Sequence, residues 1–171
     1  MKIRKSAETD LPVLVELLEE AKQTIAALGI DQWQAGYPNE AVIREDIRCG
    51  CSYCVLWDQK ICGTFVLVEH EPTYDRIYDG HWLTGDDRHA YITIHRIAVA
   101  VAKRGQGVCD VIMDFVSREA ASRGLASIRV DTHPGNRVMR RMLEKQDFLH
   151  CGTIHLTDGS PRVAYEKTVC R

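Results

Sequence analysis

The feature that most constrains the fold is an apolar strand that runs directly into a glycine-containing turn and then into a helix. Residues 91–101 are almost all apolar or β-branched, interrupted by His95 and Arg96, a pattern typical of a central strand buried on both faces. The turn follows as Lys103-Arg104-Gly105-Gln106-Gly107-Val108-Cys109. Apolar residues at helical spacing then predict a helix over about residues 106–123.

The two glycines of this turn point to a ligand site. Glycine at 105 and 107 lets the backbone approach a ligand closely, and a helix N-terminus presents unpaired N–H groups at the positive end of its dipole. We therefore predict a pyrophosphate cradle, with a purely structural turn as the alternative. The sequence carries neither the three-glycine dinucleotide fingerprint nor the Gly-Lys-Ser/Thr of a phosphate-binding P-loop.

Periodicity predicts the remaining elements. An apolar stripe from Leu11 to Leu28 predicts a first helix with Asp10 as its N-cap. The connection at 71–90 is longer than ordinary loops and is a candidate functional element. The other predicted elements are a strand at 2–5, a helix opened by Pro38-Asn39 and closed by Gly50, a hairpin at 53–57 and 61–70, a strand at 126–130, a helix at 136–145 and a hairpin at 148–156 and 163–168. The order βααβββαβαββ indicates a mixed α/β fold.

Composition narrows the class of protein. A chain of 171 residues suits one domain, and we expect a single domain over residues 1–171. The net charge of −2 argues against a protein held on nucleic acid by bulk charge. Residues 1–46 carry five basic and nine acidic side chains, whereas residues 101–145 carry nine basic and five acidic ones. An anionic ligand would prefer the second segment, unless these charges are simply solvated helix faces.

The cysteines and the apolar runs bear on the compartment. Seven cysteines at irregular spacing, with no secretory segment near Met1, indicate reduced thiols and a cytoplasmic protein. No apolar run approaches the roughly 20 residues of a membrane span, so we expect no membrane partner.

Two sequence blocks make the chain resemble the GNAT acyltransferases. Motif A of that family places R/Q-x-x-G-x-G/A at the start of a helix, and this chain has Arg104-x-x-Gly107-x-Cys109 after Ile97-Ala98-Val99. The second block is a strand ending in Arg129-Val130-Asp131, then Thr132-His133-Pro134-Gly135-Asn136, a helix, and Lys145-Gln146-Asp147-Phe148, where the family often has K-x-G-F. The likeness spans about residues 1–168 in element order and residues 91–150 motif by motif.

The resemblance implies both a fold and a cofactor. The expected fold is a three-layer αβα arrangement, with a mostly antiparallel mixed sheet that splays between its fourth and fifth strands. The expected cofactor is acetyl-CoA as acyl donor, with no metal, its pyrophosphate on the cradle and its pantetheine arm along the strand at 91–101. The implied cofactor-binding residues are Ile97, Ala98, Val99, Arg104, Gly105, Gln106, Gly107, Val108, Cys109, Asn136 and Arg140.

The sequence departs from the family pattern at three positions. Cys109 stands where the family usually has Gly or Ala, as a small filler or as a thiolate stabilised by the helix dipole. Asp147 stands where a glycine is usual, and aspartate adopts the left-handed conformation more readily than most residues. Leu143 occupies the position of the tyrosine that serves many members as general acid, so that role is vacant or filled elsewhere.

The implied reaction is attack by a neutral amine on a thioester, which a general base near neutral pH would assist. His95 shares a strand face with Ile97 and Val99 in a regular strand, and it is either that base or a core histidine. His133 follows the next strand and could act as base, hold a water or cap a helix. Tyr165 is the candidate to replace the missing acid, or it packs in the core.

The acceptor is expected to be a small-molecule or peptide amine. Aromatic residues on loops suggest a binding wall, and the predicted substrate-binding residues are Trp33, Gln34, Tyr37, Tyr74, Tyr78 and Trp82. Acidic residues nearby (Glu69, Glu71, Asp75 and Asp79) would favour a cationic amine, unless they are solvated loop charges. A homodimer is retained as a partner alternative.

Two further functions remain open from the sequence. A zinc-binding interaction module could use Cys49, Cys51, Cys54 and Cys62, although their spacing matches no common paired knuckle. A CoA-binding sensor of the same fold could have lost catalysis at Leu143.

Overall fold

The computed structural model describes residues 1–86 and 90–169. Residues 87–89, which belong to the predicted 71–90 connection, and residues 170–171 lie outside the described residues. The helices are α1 (Leu11–Ala27), α2 (Glu40–Arg48), α3 (Val108–Ser122) and α4 (Arg137–Lys145). The strands are β1 (Lys2–Lys5), β2 (Ser52–Trp57), β3 (Lys60–Val68), β4 (Tyr91–Val99), β5 (Ser127–Thr132), β6 (Leu149–His155) and β7 (Pro161–Thr168). The predicted element order is confirmed.

Within the described residues, seven strands form one mixed sheet in the order β1-β2-β3-β4-β5-β7-β6. The pairs β1–β2, β2–β3, β5–β7 and β6–β7 are antiparallel, and β4–β5 is parallel. The β4–β5 ladder joins Tyr91–Thr93 to Ser127–Arg129, which are the first residues of both strands. This topology confirms the predicted fold class, a mixed and mostly antiparallel sheet. The family resemblance predicts a splay between the fourth and fifth strands, and the ladder between them covers only their first three residues.

The chain divides into two compact units, which are described separately. The first contains residues 1–67 and 95–112, and the second contains residues 68–94 and 113–171.

The first unit is built on the predicted apolar stripe of α1. Leucines at 11, 14, 17 and 18 are buried together with Ile43 of α2, Cys54 of β2 and Ala98 of β4. Asn39 caps α2, because its side-chain oxygen accepts the N–H of Val42 at 3.0 Å. The stripe therefore fixes the helical layer of this unit against its strands.

Asp10 does not cap α1 as predicted. A short 3₁₀ turn at Glu8–Asp10 precedes the helix, so Asp10 already has helical dihedral angles. Its carboxylate turns back, accepts the N–H of Ala7 at 2.8 Å and pairs with both terminal nitrogens of Arg4 at 2.6 and 2.9 Å. The hydrogen bond from Arg4 is the main reason why the pKa of Asp10 is lowered.

The second unit has a core of aromatic and small side chains. Tyr74, Trp82 and Tyr91 pack with Cys151, Ile154 and Ala164. The 71–90 connection is attached to this unit at Tyr78, which exchanges backbone hydrogen bonds with Thr153 of β6 at 2.8 Å in both directions. His81 adds a bond from its N–H to the carbonyl of Cys151 at 3.0 Å.

Candidate functional site

The predicted glycine turn leads from β4 into α3. The strand ends at Val99, two residues earlier than predicted, and a 3₁₀ turn at Val101–Lys103 follows. Gly105 and Gly107 have φ of 71° and 81°, in the left-handed region that favours glycine. Among the described residues, a Cβ at Gly105 would meet nothing within 4 Å, and one at Gly107 would meet only the Asp110 carboxylate at 3.6 Å. The backbone conformation therefore requires the glycines, and the turn remains open to a ligand.

Backbone N–H groups are concentrated at the start of α3. The N–H of Val111 donates to the carbonyl of Gly107 at 3.2 Å. Helix α3 begins at Val108, and the first N–H groups of a helix have no intrahelical carbonyl to accept them. Together with the positive end of the dipole, this arrangement suits an anion.

Two cationic side chains beside this turn are held by the first unit. Arg104 donates from Nε to the carbonyl of Val99 at 3.1 Å and from Nη1 to Thr24 Oγ1 at 3.2 Å. The Lys103 ammonium lies 4.1 Å from the centre of the Trp57 ring. Gln106 folds back and donates from its amide to the carbonyl of Ala102 at 2.9 Å.

Cys109 lies in the first turn of α3 and is half-buried. Burial raises the pKa of its thiol, the carboxylate of Asp110 raises it further, and Arg104 offsets only part of this. A raised pKa favours the neutral thiol, and this direction agrees with the small-filler alternative better than with a dipole-stabilised thiolate.

His95 and Ile97 flank an irregularity in β4. Arg96, between them, has φ of 50°, which is left-handed backbone inside a strand. Regular alternation of side chains does not continue through such a residue, so the argument that His95 shares a face with Ile97 and Val99 fails. His95 is half-buried, and Ala98 is buried in the core.

Arg96 is the centre of a polar network that sequence reasoning missed. Its Nε and Nη2 donate to the two oxygens of Asp46 of α2 at 2.8 and 2.7 Å. Its Nη1 donates to the phenol oxygen of Tyr37, in the loop between α1 and α2. The pKa of Asp46 is raised, because the cost of burying its charge exceeds the stabilisation by Arg96 and His95. Arg96 and Asp46 lie 50 residues apart in the sequence, so no local pattern predicts that they pair.

The other residues predicted on the α1–α2 loop differ in their surroundings. Trp33 is half-buried and packs against the core of the first unit. Gln34 is exposed, and its amide donates to the carbonyls of Lys22 at 3.3 Å and Gln32 at 2.8 Å. Tyr37 is 42% exposed, so its ring offers free surface while its hydroxyl is held.

In the second unit, two of the predicted acceptor residues are core residues. Tyr74 and Trp82 are 1% and 3% exposed. The Tyr74 hydroxyl donates to Asp131 at 2.7 Å, and the Trp82 indole N–H donates to the carbonyl of Tyr74 at 3.0 Å. Tyr78, in contrast, is half-buried and packs edge-on against His155, with Arg76 4.8 Å above its ring.

Three of the acidic residues that might attract a cationic amine have local partners. Asp75 lies 2.9 Å from Nε2 of His70, and Glu69 pairs with Arg123 at 2.9 Å. Glu71 accepts the N–H of Thr73 at 3.1 Å. These carboxylates therefore already have hydrogen-bond or ion-pair partners within the second unit.

The segment after β5 holds two predicted site residues in backbone contacts. His133 Nδ1 accepts the N–H of Gly135 at 3.0 Å, so in the neutral ring the proton lies on Nε2. Asn136 is buried and caps α4 by accepting the N–H of Met139 at 3.1 Å. Both side chains are thus oriented by the start of α4.

Arg140 and Tyr165 meet on the inner side of α4. Arg140 donates from Nε to the Tyr165 hydroxyl at 3.1 Å, and this hydroxyl donates to Glu144 at 3.2 Å. Tyr165 is completely buried. Beside it, a shallow depression of about 250 Å³ is lined by Arg137, Arg140, Arg141 and Glu144. This is a basic surface of the size of a phosphate group or larger.

A buried ion pair fixes the end of the long connection. Arg129 and Glu166 pair at 2.9 Å and are 1% and 0% exposed. The guanidinium lies between the rings of Trp82 and Tyr91, at 4.2 and 4.0 Å. Glu166 also accepts the Thr84 hydroxyl at 2.6 Å. No local pattern in the sequence predicts that Arg129 and Glu166 pair.

Residues 1–86 and 90–169 contain no group of three or more His, Cys, Asp or Glu side chains that could hold a metal ion. No helix in the same ranges is both long and apolar enough to cross a membrane.

Comparisons with known proteins place this geometry in context. The chain matches the family model of the acetyltransferase (GNAT) family over residues 14–148. A GNAT-family acetyltransferase from Streptococcus agalactiae is 34% identical, with a TM-score of 0.86 over 99% of this chain and 96% of that chain. A search of curated proteins found no match.

Two more distant structures share the fold. One is a ribosomal-protein-alanine N-acetyltransferase from Brucella melitensis, at 17% identity and a TM-score of 0.71 over 98% of this chain and 99% of that chain. The other is an aminoglycoside acetyltransferase in complex with coenzyme A and kanamycin, at 20% identity and a TM-score of 0.70 over 98% of this chain and 94% of that chain.

Proposed function

Because this chain belongs to the GNAT acetyltransferase family, we propose that it transfers an acetyl group from acetyl-CoA to a primary amine of a small molecule or peptide. The amine attacks directly in a ternary complex. The transfer breaks the thioester C–S bond and forms an amide C–N bond, while the amine loses a proton and the departing thiolate gains one. The observation that carries the proposal is the open, left-handed glycine turn at the start of α3.

The first unit supplies the proposed pyrophosphate contacts. The N–H groups of residues 105–109 lie at an open turn and at a helix N-terminus, which fits a doubly charged phosphate pair. Arg104 adds a positive charge that is already oriented by Val99 and Thr24. Ile97, Ala98 and Val99 are the proposed backbone contacts for the pantetheine amides. These are main-chain contacts, so the neutral thiol of Cys109 is compatible with them.

The second unit supplies further proposed cofactor contacts. Asn136 is held by its capping bond at the start of α4, and Arg140 is held by Tyr165. We propose that the depression lined by Arg137, Arg140, Arg141 and Glu144 binds the 3′-phosphate of the cofactor, since its lining contains three arginines and one glutamate.

Proton transfer has three candidate residues. His95 and His133 are the proposed bases. In neutral His133 the lone pair lies on Nδ1, which accepts the N–H of Gly135, so that hydrogen bond has to be released before His133 can take a proton from the amine. Tyr165 is the proposed acid, and its proton would pass from a hydroxyl that Arg140 and Glu144 orient. Positioning of the amine contributes more to the rate than any single proton transfer, because intramolecular geometry accounts for about 7–11 kcal/mol in well-oriented reactions.

For the acceptor, the exposed aromatic residues carry the proposal. Tyr37 and Trp33 lie on one loop of the first unit with Gln34, and Tyr78 lies on the connection of the second. Tyr74 and Trp82 are buried, and we propose that they hold the connection in place without touching the acceptor.

Calorimetric titration with acetyl-CoA tests the cradle. Gly107→Glu places a side chain at φ of 81° and adds a negative charge, so the Kd should rise by roughly 100-fold or more. Gly159→Glu is the matched control, because Gly159 has φ of 84° in the β6–β7 turn and the same charge change occurs there. Equal affinities of the two variants would show that the cradle is wrongly placed.

One observation favours a second candidate function, a CoA-binding sensor without catalysis. Leu143 is completely buried, and it stands at the position where many family members have a tyrosine that serves as general acid. A sensor would bind acetyl-CoA but release no CoA thiol with any amine, whereas the enzyme would release it only when an accepted amine is present.

A further inference from the structure

In strand β4, next to His95, Arg96 has a left-handed backbone conformation that arginine seldom adopts. Arg96 has φ of 50° in the middle of β4, where L side chains are disfavoured. Such residues persist only where surrounding contacts determine them, and they concentrate at sites where geometry serves function. The contacts that keep Arg96 in this conformation should therefore matter for the position of the groups that β4 places at the proposed site.

Two side chains of the first unit hold Arg96 in this conformation. Asp46 binds both Nε and Nη2 in a two-point contact, and the Tyr37 hydroxyl accepts Nη1. The side chains of Arg96 and Asp46 are only 12% and 14% exposed. A planar fork bonded at three nitrogens cannot rotate without breaking these bonds. The position of the guanidinium is therefore fixed, and it restricts the conformations open to the main chain at residue 96.

This pair is poorly explained as a stabilising feature. Buried ion pairs often stabilise no more than apolar residues of the same size, because both charges lose their hydration. Burial raises the pKa of Asp46 even with Arg96 and His95 nearby, which shows that the carboxylate is in an unfavourable place for its charge. A positional role explains why the charge is nevertheless there.

We propose that Asp46 and Arg96 are positioning residues for the acetyl transfer, which rests on the proposed function. Their ion pair maintains the left-handed residue in β4 and thereby orients His95 and the backbone of Ile97. Arg96 extends the same constraint to Tyr37, the exposed ring on the proposed acceptor loop. Neither residue touches the reacting atoms.

Four variants test this role. Asp46→Asn keeps the shape and removes the charge. Glu45→Gln is its matched control, because Glu45 is the preceding residue of α2 and its exposed carboxylate contacts Arg48 at 3.4 Å and the Cys49 thiol at 3.2 Å but not Arg96. Arg96→Gly removes the side chain but accepts a positive φ, whereas Arg96→Ala removes it and resists that φ.

The readouts separate positioning from cofactor binding and from folding. For Asp46→Asn, kcat should fall about 10- to 100-fold, as expected for misplaced groups. The Kd for acetyl-CoA should change by a much smaller factor than kcat, because Ile97 supplies only one part of the proposed cofactor contacts. Arg96→Gly should retain more kcat than Arg96→Ala. Backbone amide NMR signals of residues 95–99 should move in Asp46→Asn and stay in place in Glu45→Gln.

The proposal is overturned if Asp46→Asn and Glu45→Gln show the same kcat and the same amide signals over residues 95–99. It is also overturned if Arg96→Ala matches Arg96→Gly. If the wild-type chain acetylates no amine, the proposed function fails. The amide signals then decide separately whether the ion pair sets the β4 conformation.

Discussion

Replacement of Glu166 by glutamine should destabilise the second unit strongly. The carboxylate of Glu166 accepts the Ser127 hydroxyl at 2.5 Å, the Thr84 hydroxyl at 2.6 Å and Nε of Arg129 at 2.9 Å. It also accepts the backbone N–H of Leu83. A glutamine amide presents N–H groups to at least one of these donors and leaves the guanidinium of Arg129 buried without its counter-charge.

The magnitude follows from the burial of both charges. Breaking a buried ion pair by removing one partner costs roughly 3–5 kcal/mol, because the remaining charge is uncompensated. At about 2–4 °C per kcal/mol for a chain of this size, the Tm should fall by roughly 6–20 °C. The effect should shrink in acid. Burial raises the pKa of Glu166, but the bonds from Ser127, Thr84 and Arg129 together lower it below its usual value. Its contribution is thus present above the unfolded pKa of about 4.3 and is lost as the pH falls through the lower folded value.

Urea denaturation followed by circular dichroism measures this difference. Glu119→Gln is the control, because it removes a charge from a partly exposed i,i+4 pair with Arg123 and should cost only about 0.3–0.5 kcal/mol. If Glu166→Gln at pH 7 costs less than about 1 kcal/mol, or if its cost is unchanged at pH 3, the buried pair does not hold this unit together as described.

Three further changes have defined outcomes. Gly80→Ala puts a Cβ 1.9 Å from the carbonyl oxygen of Cys151, so the hydrogen bonds of the connection to β6 must break. The free energy of unfolding in urea should therefore fall by roughly 2–4 kcal/mol. A fall of less than about 0.5 kcal/mol would refute the close approach. Burial raises the pKa of Cys151 from 9.0 to about 11, so the stability of wild type relative to Cys151→Ala should fall by about 2–3 kcal/mol as the pH rises from 8 through 11; a constant difference would contradict it. Cys109→Ala should leave the Kd for acetyl-CoA within about twofold in calorimetry, because the thiol is small and neutral; a tenfold loss would show a direct role.

The sequence predicted those parts of the fold that depend on local pattern. The apolar stripe of α1, the nearly all-apolar run of β4 and the glycine turn each required only neighbouring residues, and all three were found. Asp147, expected to adopt the conformation of the usual glycine, has φ of 63°.

The features that the sequence does not predict depend on contacts between residues far apart in the chain. Asp10 was predicted to cap α1, but Arg4 and a 3₁₀ turn redirect its carboxylate. The regular face of His95 was lost because Asp46, 50 residues earlier, holds Arg96 in left-handed backbone. No periodicity in either segment reports such a partner.

The acceptor residues show the same limit. The sequence pattern does not distinguish one loop aromatic residue from another, yet Trp82 is buried over the guanidinium of Arg129 while Tyr37 is exposed. Whether a loop ring faces the core depends on the charge beneath it, and that charge lies 47 residues away in the sequence.

The measurement that tests the central claim most directly is release of CoA thiol from acetyl-CoA across a panel of amines, comprising polyamines, aminoglycosides, amino acids, peptide N-termini and lysine peptides. The proposed acetyltransferase should release thiol with at least one amine, in proportion to the acetylated product found by mass spectrometry, and Gly107→Glu should abolish the release. Tight binding of acetyl-CoA without thiol release by any amine would contradict the claim and would leave the sensor as the function of this fold.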